Sequence, residues 1–302
     1  MCGSRGRKFA LVGRGPPAAT SPAEKHFCSY PCTKSQKGFD GHACYRSHFD
    51  AQMNFPFLIC FVSLIALALS VRIGTLLRNR KVIEEDLRAD LDIILAATLT
   101  LLGLIIGFSF SMAINRYDQR KNYEEAEANA IGTEYVRADL LPDPDAAKVR
   151  ALLKDYLGQR ILFYQNRDEH ELQKINDYTA QLQSELWSAV QVPAAAHPTP
   201  VIGLAVSGMN DVLNSQGYTQ AAWWNRIPIA AWALMLAIAI CSNILVGYAA
   251  HRVKTGAFHF LVLPLLLSIS FLLIADIDSP RRGVIRVQPQ NLISLVQNLR
   301  AQ

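Results

Sequence analysis

Charged side chains are almost missing from the longest apolar stretches of this chain, and that scarcity excludes more functions than any motif supplies. Four blocks, 55–77, 93–115, 227–250 and 257–275, hold no Asp, Glu or Lys and a single arginine, Arg72. A transporter or intramembrane enzyme built around an ionisable centre needs such a group at depth, so neither reading is favoured. Catalytic signatures are also missing. There is no phosphate-cradling glycine loop and no Gly-x-Ser-x-Gly elbow. The run His170-Glu171-Leu172-Gln173-Lys174 starts like a zinc-protease motif but carries Lys174 where the second histidine must stand. Glu124, Glu125, Glu127 and Glu134 read as a solvated helix face rather than as catalytic carboxylates. The chain is therefore read as a non-enzyme with no cofactor.

The net charge of +5 does not point to nucleic acid once it is divided along the chain. Residues 1–52 hold eight basic side chains against Glu24, Asp40 and Asp50, and the other 250 residues balance at 22 against 22. Binding a phosphate backbone needs a clustered basic face, and no such module is seen. Cys2, Cys28, Cys32 and Cys44 also lie in this leading segment, near His26, His42 and His48. Their spacing gives only one short cysteine pair, with no second compact pair to complete a zinc site, so no metal is expected. Met53 stands directly before the first apolar block, so residues 1–52 read as an upstream or disordered extension and 53–302 as the functional domain.

What is abundant is hydrophobic length. The chain is 51% hydrophobic, and each block is long enough to cross a hydrocarbon core of roughly 30 Å at 1.5 Å per residue. The expected fold class is all-α: an integral membrane protein with four transmembrane helices and a helical extramembrane portion, about 116–226, between helices 2 and 3. Its first partner is the lipid bilayer. Short links predict two hairpins, spans one with two and spans three with four. Arg72 can snorkel from the end of its block. Tyr117 suits the headgroup level and Arg116, Arg120 and Lys121 suit phosphates, while Trp223 and Trp224 suit an aromatic belt. His259 reads as an interfacial histidine and Pro264 as a kink. Basic residues flanking the spans nearly tie between the two sides, so charge does not set the orientation.

In the extramembrane portion the second helix is predicted to run on to Ala130, with Gly132 and then Pro142 interrupting it. Leu152, Leu153, Tyr156, Leu157 and Ile161 recur at helical spacing, as do Leu172, Ile175, Tyr178, Leu182 and Leu186. Residues 193–200 read as a break, and Gly217 as a separator before the third span.

The second block does not simply maximise apolarity. At about 100° per residue from Thr100, Leu104 falls near 40°, Phe108 near 80°, Ser111 near 20° and Asn115 near 60°. Lipid has no use for Thr, Ser and Asn on one stripe, so that face should meet another helix or water. Gly103, Gly107 and Ser111 form a small-residue series suited to helix packing. The pattern alone favours packing over a pore lining.

Gly107-Phe-Ser-Phe-Ser-Met-Ala-Ile-Asn-Arg-Tyr-Asp118, followed by Glu127-Ala-Asn-Ala-Ile-Gly132 and Arg137-Ala-Asp-Leu-Leu-Pro142, resembles a bacterial group of four-span proteins described as bestrophin-like. The resemblance extends from Met53 to Asp278-Ser-Pro-Arg-Arg-Gly283. Bestrophins are pentameric anion channels whose second helix lines a narrow neck. Their Gly-Phe, seven residues, then Arg and an aromatic correspond here to Gly107-Phe108 and Arg116-Tyr117. The resemblance implies a homo-oligomer, pentameric, conducting small inorganic anions across the cell membrane (the inner one in a cell with two), with both termini cytosolic. It implies Phe108 and Leu104 at the neck, departs at Thr100, where the family carries a bulky apolar side chain, and gives no recognisable calcium clasp. Thr100, Leu104, Phe108, Ser111 and Asn115 are then pore-lining, Arg116 lies at the mouth, and Gly103 and Gly107 serve packing. The competing expectation is a non-conducting scaffold or sensor whose extramembrane helices recruit a partner and whose stripe is closed by its own chain.

Overall fold

Long Leu-, Ile- and Ala-rich runs favour helix, and the computed structural model, which describes residues 56–79, 85–249 and 259–301, is helical throughout its main elements. They are α1 (Pro56–Asn79), α2 (Glu85–Arg137), a 3-10 turn (Ala138–Leu140), α3 (Asp143–Gln165), α4 (Glu169–Ala196), α5 (Pro200–Trp224), α6 (Ile229–Ala249), α7 (His259–Asp278) and α8 (Gln290–Ala301). No strand occurs among the described residues. Four helical stretches are long and apolar enough to cross a membrane, and each overlaps one of the four apolar blocks. The leading cysteines and histidines, Met53 and the link at 251–258 lie outside the described residues, as does the His259 side chain.

The two expected hairpins do not form as packed pairs. α1 packs along α6 and α7, and α2 packs on the same two helices. α6 and α7 touch only briefly, and α1 makes no substantial contact with α2. The two members of each short-linked pair of spans thus lie diagonally across a four-helix cluster. The cause is backbone proximity between α1 and α6. A side chain at Gly74 would run into the backbone of Ile244, Gly247 and Tyr248, and one at Gly247 into that of Val71 and Thr75. Ser70 and Gly74, like Asn243 and Gly247, are small residues one turn apart, which lets two helices approach without lipid-like side chains between them. Leu67, Met235, Ala239, Phe271 and Ile274 fill the cluster's interior.

The extramembrane half of α2 is covered by α3, α5 and α8, and α4 closes the bundle over α3 and α5. Leu153, Tyr156, Leu157, Leu172, Ile175, Leu182 and Leu186 are buried there, as their periodicity predicts, while Tyr178 stays 42% exposed. Three boundaries differ from expectation. α2 continues through Gly132 to Arg137, because the missing side chain makes room for α8: a Cβ there would lie 3.1 Å from Leu295. α4 continues through Pro193, which sits in the last turn and forfeits a single backbone bond. The break comes at His197, and Thr199 caps α5 by accepting from the Ile202 N–H at 3.2 Å. Gly217 lies inside α5, and the separator is instead the stretch from Asn225 to Pro228, where α5 stops.

The acids of α2 overturn the solvated-face expectation. Glu124, Glu127 and Glu134 are buried and only Glu125 is exposed. Their spacing, with Arg120 before and Ile131 between, is that of an inward helix face. Glu127 pairs with the buried Arg160 of α3, and accepts from Tyr164 at 3.3 Å and from Thr219 at 3.2 Å. Glu124 caps α8, accepting from the Asn291 and Leu292 N–H groups at 3.0 Å each. A carboxylate at a helix N-terminus satisfies donors that no helix can satisfy internally.

Two outcomes follow for stability in detergent. Gly247→Leu forces α1 and α6 apart and costs about 3 kcal/mol, at the upper end for overpacking, seen as a lowered melting temperature and a broadened size-exclusion peak. Arg160→Met leaves Glu127 buried and uncompensated, costing about 3–5 kcal/mol, and the added Glu127→Gln change restores much of the loss. Unchanged melting for either single variant would refute the corresponding seam.

Candidate functional site: the uncovered face of the second span

The membrane half of α2 is held by a narrow strip. Leu102, Ser109 and Ala113 are buried against the other spans, whereas most of the circumference is open. Thr100, Leu104, Phe108, Ser111 and Asn115 all lie on this open side, with Leu104 54% and Phe108 64% exposed. The structure therefore brings the five candidate residues onto one continuous face of a single unbroken helix. Gly103 and Gly107 are exposed too, and a side chain at either would meet nothing. Neither glycine packs against another helix among the described residues, so the expected packing role is not seen within them.

The polar groups on the face are not equivalent. The Thr100 hydroxyl donates to the Ala96 carbonyl at 2.8 Å, so its donor is satisfied within the helix. Ser111 and Asn115 make no side-chain hydrogen bond among the described residues. A hydroxyl and an amide left unpaired within a hydrocarbon-spanning segment are costly unless water or another chain supplies partners.

The foot of the face is built by residues from far along the chain. Arg116, expected as a free cation at a pore mouth, is tied to Asp278 at 3.4 Å, with side-chain exposures of 15% and 5%. Arg120, expected at lipid phosphates, is buried instead. It donates to the carbonyls of Ala222 and Ile277 at 3.2 Å, of Asn225 at 3.2 Å and of Asp278 at 3.3 Å. These are the carbonyls at the ends of α5 and α7, which lack helical partners and carry the negative end of each helix dipole. Asp278 in turn accepts from the Ile227 N–H just before α6. Beyond this lock, Asp118 and Lys121 are exposed, so the charge at the foot of the face is mixed.

Neighbouring aromatics complete the anchor. Trp223, expected in a membrane belt, is buried against Phe163 and Tyr164, and Trp224 is 74% exposed. The Arg281 guanidinium lies over both the Phe163 and Trp223 rings, at 4.6 and 4.4 Å, and donates to the Phe163 carbonyl at 2.9 Å. Burial lowers the Arg281 pKa to about 10, with Arg160 adding to the effect. Asp276 accepts from the Val284 and Ile285 N–H groups and folds the segment back. The sequence signal for Arg120, Asp276 and Asp278 was modest: one arginine in register with the inward acids of α2, and acids closing the fourth apolar block. Among the described residues no cluster of His, Cys, Asp and Glu is placed to hold a metal.

A family model for the Bestrophin-like domain matches residues 57–292. The fold is similar to several solved structures. A mutant of a bacterial bestrophin homolog from Klebsiella pneumoniae is 13% identical, with a TM-score of 0.55, covering 80% of this chain and 97% of that one. Another mutant of that homolog gives 13% identity and a TM-score of 0.56, covering 81% and 97%. A further structure of the homolog, solved by Zn-SAD phasing, gives 14% identity and a TM-score of 0.52, covering 78% and 98%. No curated protein matches in sequence. With its four apolar spans, its all-helical architecture and a match over most of its length, the chain belongs to the Bestrophin-like family of membrane proteins.

Proposed function

We propose that this protein is a homo-oligomeric channel of the cell membrane that conducts small inorganic anions along the uncovered face of α2. The observation that carries the reading is the exposure of Ser111 and Asn115, unpaired, on the same side of a membrane-spanning helix as Leu104 and Phe108. Lipid satisfies neither polar group, whereas a water-filled path between copies of the chain satisfies both. Leu104 and Phe108, with Thr100 one turn further on and its hydroxyl donor spent on Ala96, form the constriction, which gates by dewetting. The family resemblance supplies the pentameric arrangement, the preference for anions and the cytosolic placement of both termini. The anion preference is also consistent with a face that carries no acid inside the span. Arg116 contributes less to attracting anions than a free cation would, because Asp278 offsets its charge. The scaffold alternative required the stripe to be closed by its own chain, and the exposure of Phe108 and Ser111 counts against it.

Full-length protein in planar bilayers tests the reading, with the reversal potential in a potassium chloride gradient reporting the charge of the permeant ion. Phe108→Ala is expected to raise the current roughly three- to tenfold, the effect of removing about 1 kcal/mol of dewetting barrier, and Thr100→Leu to lower it by a similar factor. Current indifferent to both substitutions, or no current at any salt concentration, would reject conduction along this face.

A further inference from the structure

Three acids line the inward face of extramembrane α2, and they are not treated alike. Glu124 and Glu127 each accept several hydrogen bonds, but Glu134, fully buried, accepts none at either carboxyl oxygen. Its carboxyl lies in the seam between α2 and α5, over Gly208, whose missing side chain is what makes the space: a Cβ there would collide with the Glu134 carboxyl and crowd Arg137. An ionised carboxylate without partners in such a place is strongly disfavoured, whereas a neutral one is tolerated.

The surrounding charges are few. Arg137 stands one turn along α2, and Asp211 faces Glu134 from α5. From α3, Arg150 and Lys154 cover the Tyr135 ring and Arg160 is committed to Glu127. Asp139 of the 3-10 turn pairs with Arg150. α8 turns Ser294, Leu295 and Asn298 toward α2, and none of these titrates. Burial raises the Glu134 pKa from 4.5 to about 8, Arg137 opposing the rise and Asp211 adding to it.

We propose that Glu134 is a proton-binding site that controls the α2–α5 seam. With its proton in place the neutral carboxyl lies over Gly208 and the seam is closed. When the proton leaves to bulk water, the carboxylate is drawn toward the Arg137 guanidinium, Gly208 loses its cover and the seam loosens. α2 is continuous from this point to Asn115, 19 residues and about 28 Å away, so loosening changes how firmly the uncovered face is held. The effect on current rests on the channel reading above; the proton site does not.

The experiment separates the two. Melting temperature in detergent is followed from pH 4.5 to 9.5 for the full-length protein and for Glu134→Gln, which mimics the protonated acid. The folded-state pKa lies above the unfolded one, so the native state holds the extra proton between them. Wild-type melting should therefore fall relative to Glu134→Gln as pH rises from about 4.5 to about 8, and the gap should stay constant above that. Asp211→Asn should lower the upper limit of this range and Arg137→Gln should raise it, so the test survives a failure of Glu134→Gln to fold. A gap independent of pH, or limits unmoved in both charge variants, would overturn the proton site whatever the currents do. In bilayers, wild-type current should change with a midpoint near pH 8 and Glu134→Gln current should not. A pH-dependent melting gap with no current in either protein supports the proton site and faults the channel reading alone, and a gap with pH-independent current overturns the coupling to α2.

Discussion

Arg120 makes the interaction on which the arrangement of the two halves depends. One guanidinium answers four carbonyls at the ends of α5 and α7, two helices that stop at the same level and would otherwise bury unsatisfied acceptors beside an apolar layer. Burying an arginine is expensive, but here every bond goes to the negative end of a helix, and its charge completes what the two helix ends lack. The same contact fixes where α2 leaves the membrane cluster. Asp278 ties in the start of α6 and restrains Arg116, so α2, the end of α5, the start of α6 and the end of α7 meet within a few side chains. Loss of Arg120 would open a shared junction rather than one bond.

Much of this was legible in the residues. Four apolar blocks with a single charge among them, Arg72, define the spans, and the period of leucines and tyrosines between 152 and 186 defines two of the outer helices. Diagonal packing of the spans was not legible, because short links normally favour adjacent helices and the deciding feature is a glycine pair, Gly74 and Gly247, far apart in sequence. The acids of α2 were misread for a related reason. Glutamate is usually solvated, and what places Glu124 and Glu127 inside is the existence of the α8 N-terminus and Arg160, partners supplied from 167 and 33 residues away. Position beside the span suggests lipid phosphates for Arg120, and nothing near it in sequence announces the helix ends that take it up; the mouth position of Arg116 rests on the family resemblance, and its tie to Asp278 spans 162 residues.

The candidate face followed the opposite course. Helical geometry put Thr100, Leu104, Phe108, Ser111 and Asn115 on one stripe, but a stripe does not say what covers it. The fold answers for the described residues of one chain: none of them does. Exposed leucine and phenylalanine are unremarkable in lipid, and the side chains that bear on the question are the two small polar ones beside them.

The distribution of charge along α2 bears on how such a face can discriminate among ions. The two arginines at its foot are already spent on Asp278 and on helix carbonyls, and the exposed charges beyond them, Asp118 and Lys121, oppose each other. Long-range attraction by a cationic mouth is therefore a weak basis for selecting anions. What remains inside the span are dipoles: the Asn115 amide and the Ser111 hydroxyl, each able to donate to an anion and neither committed to a neighbour among the described residues. Donors of this kind act only over hydrogen-bond distance, so on the proposed path they would act at close range, between the apolar constriction of Leu104 and Phe108 and the Arg116 end of the span.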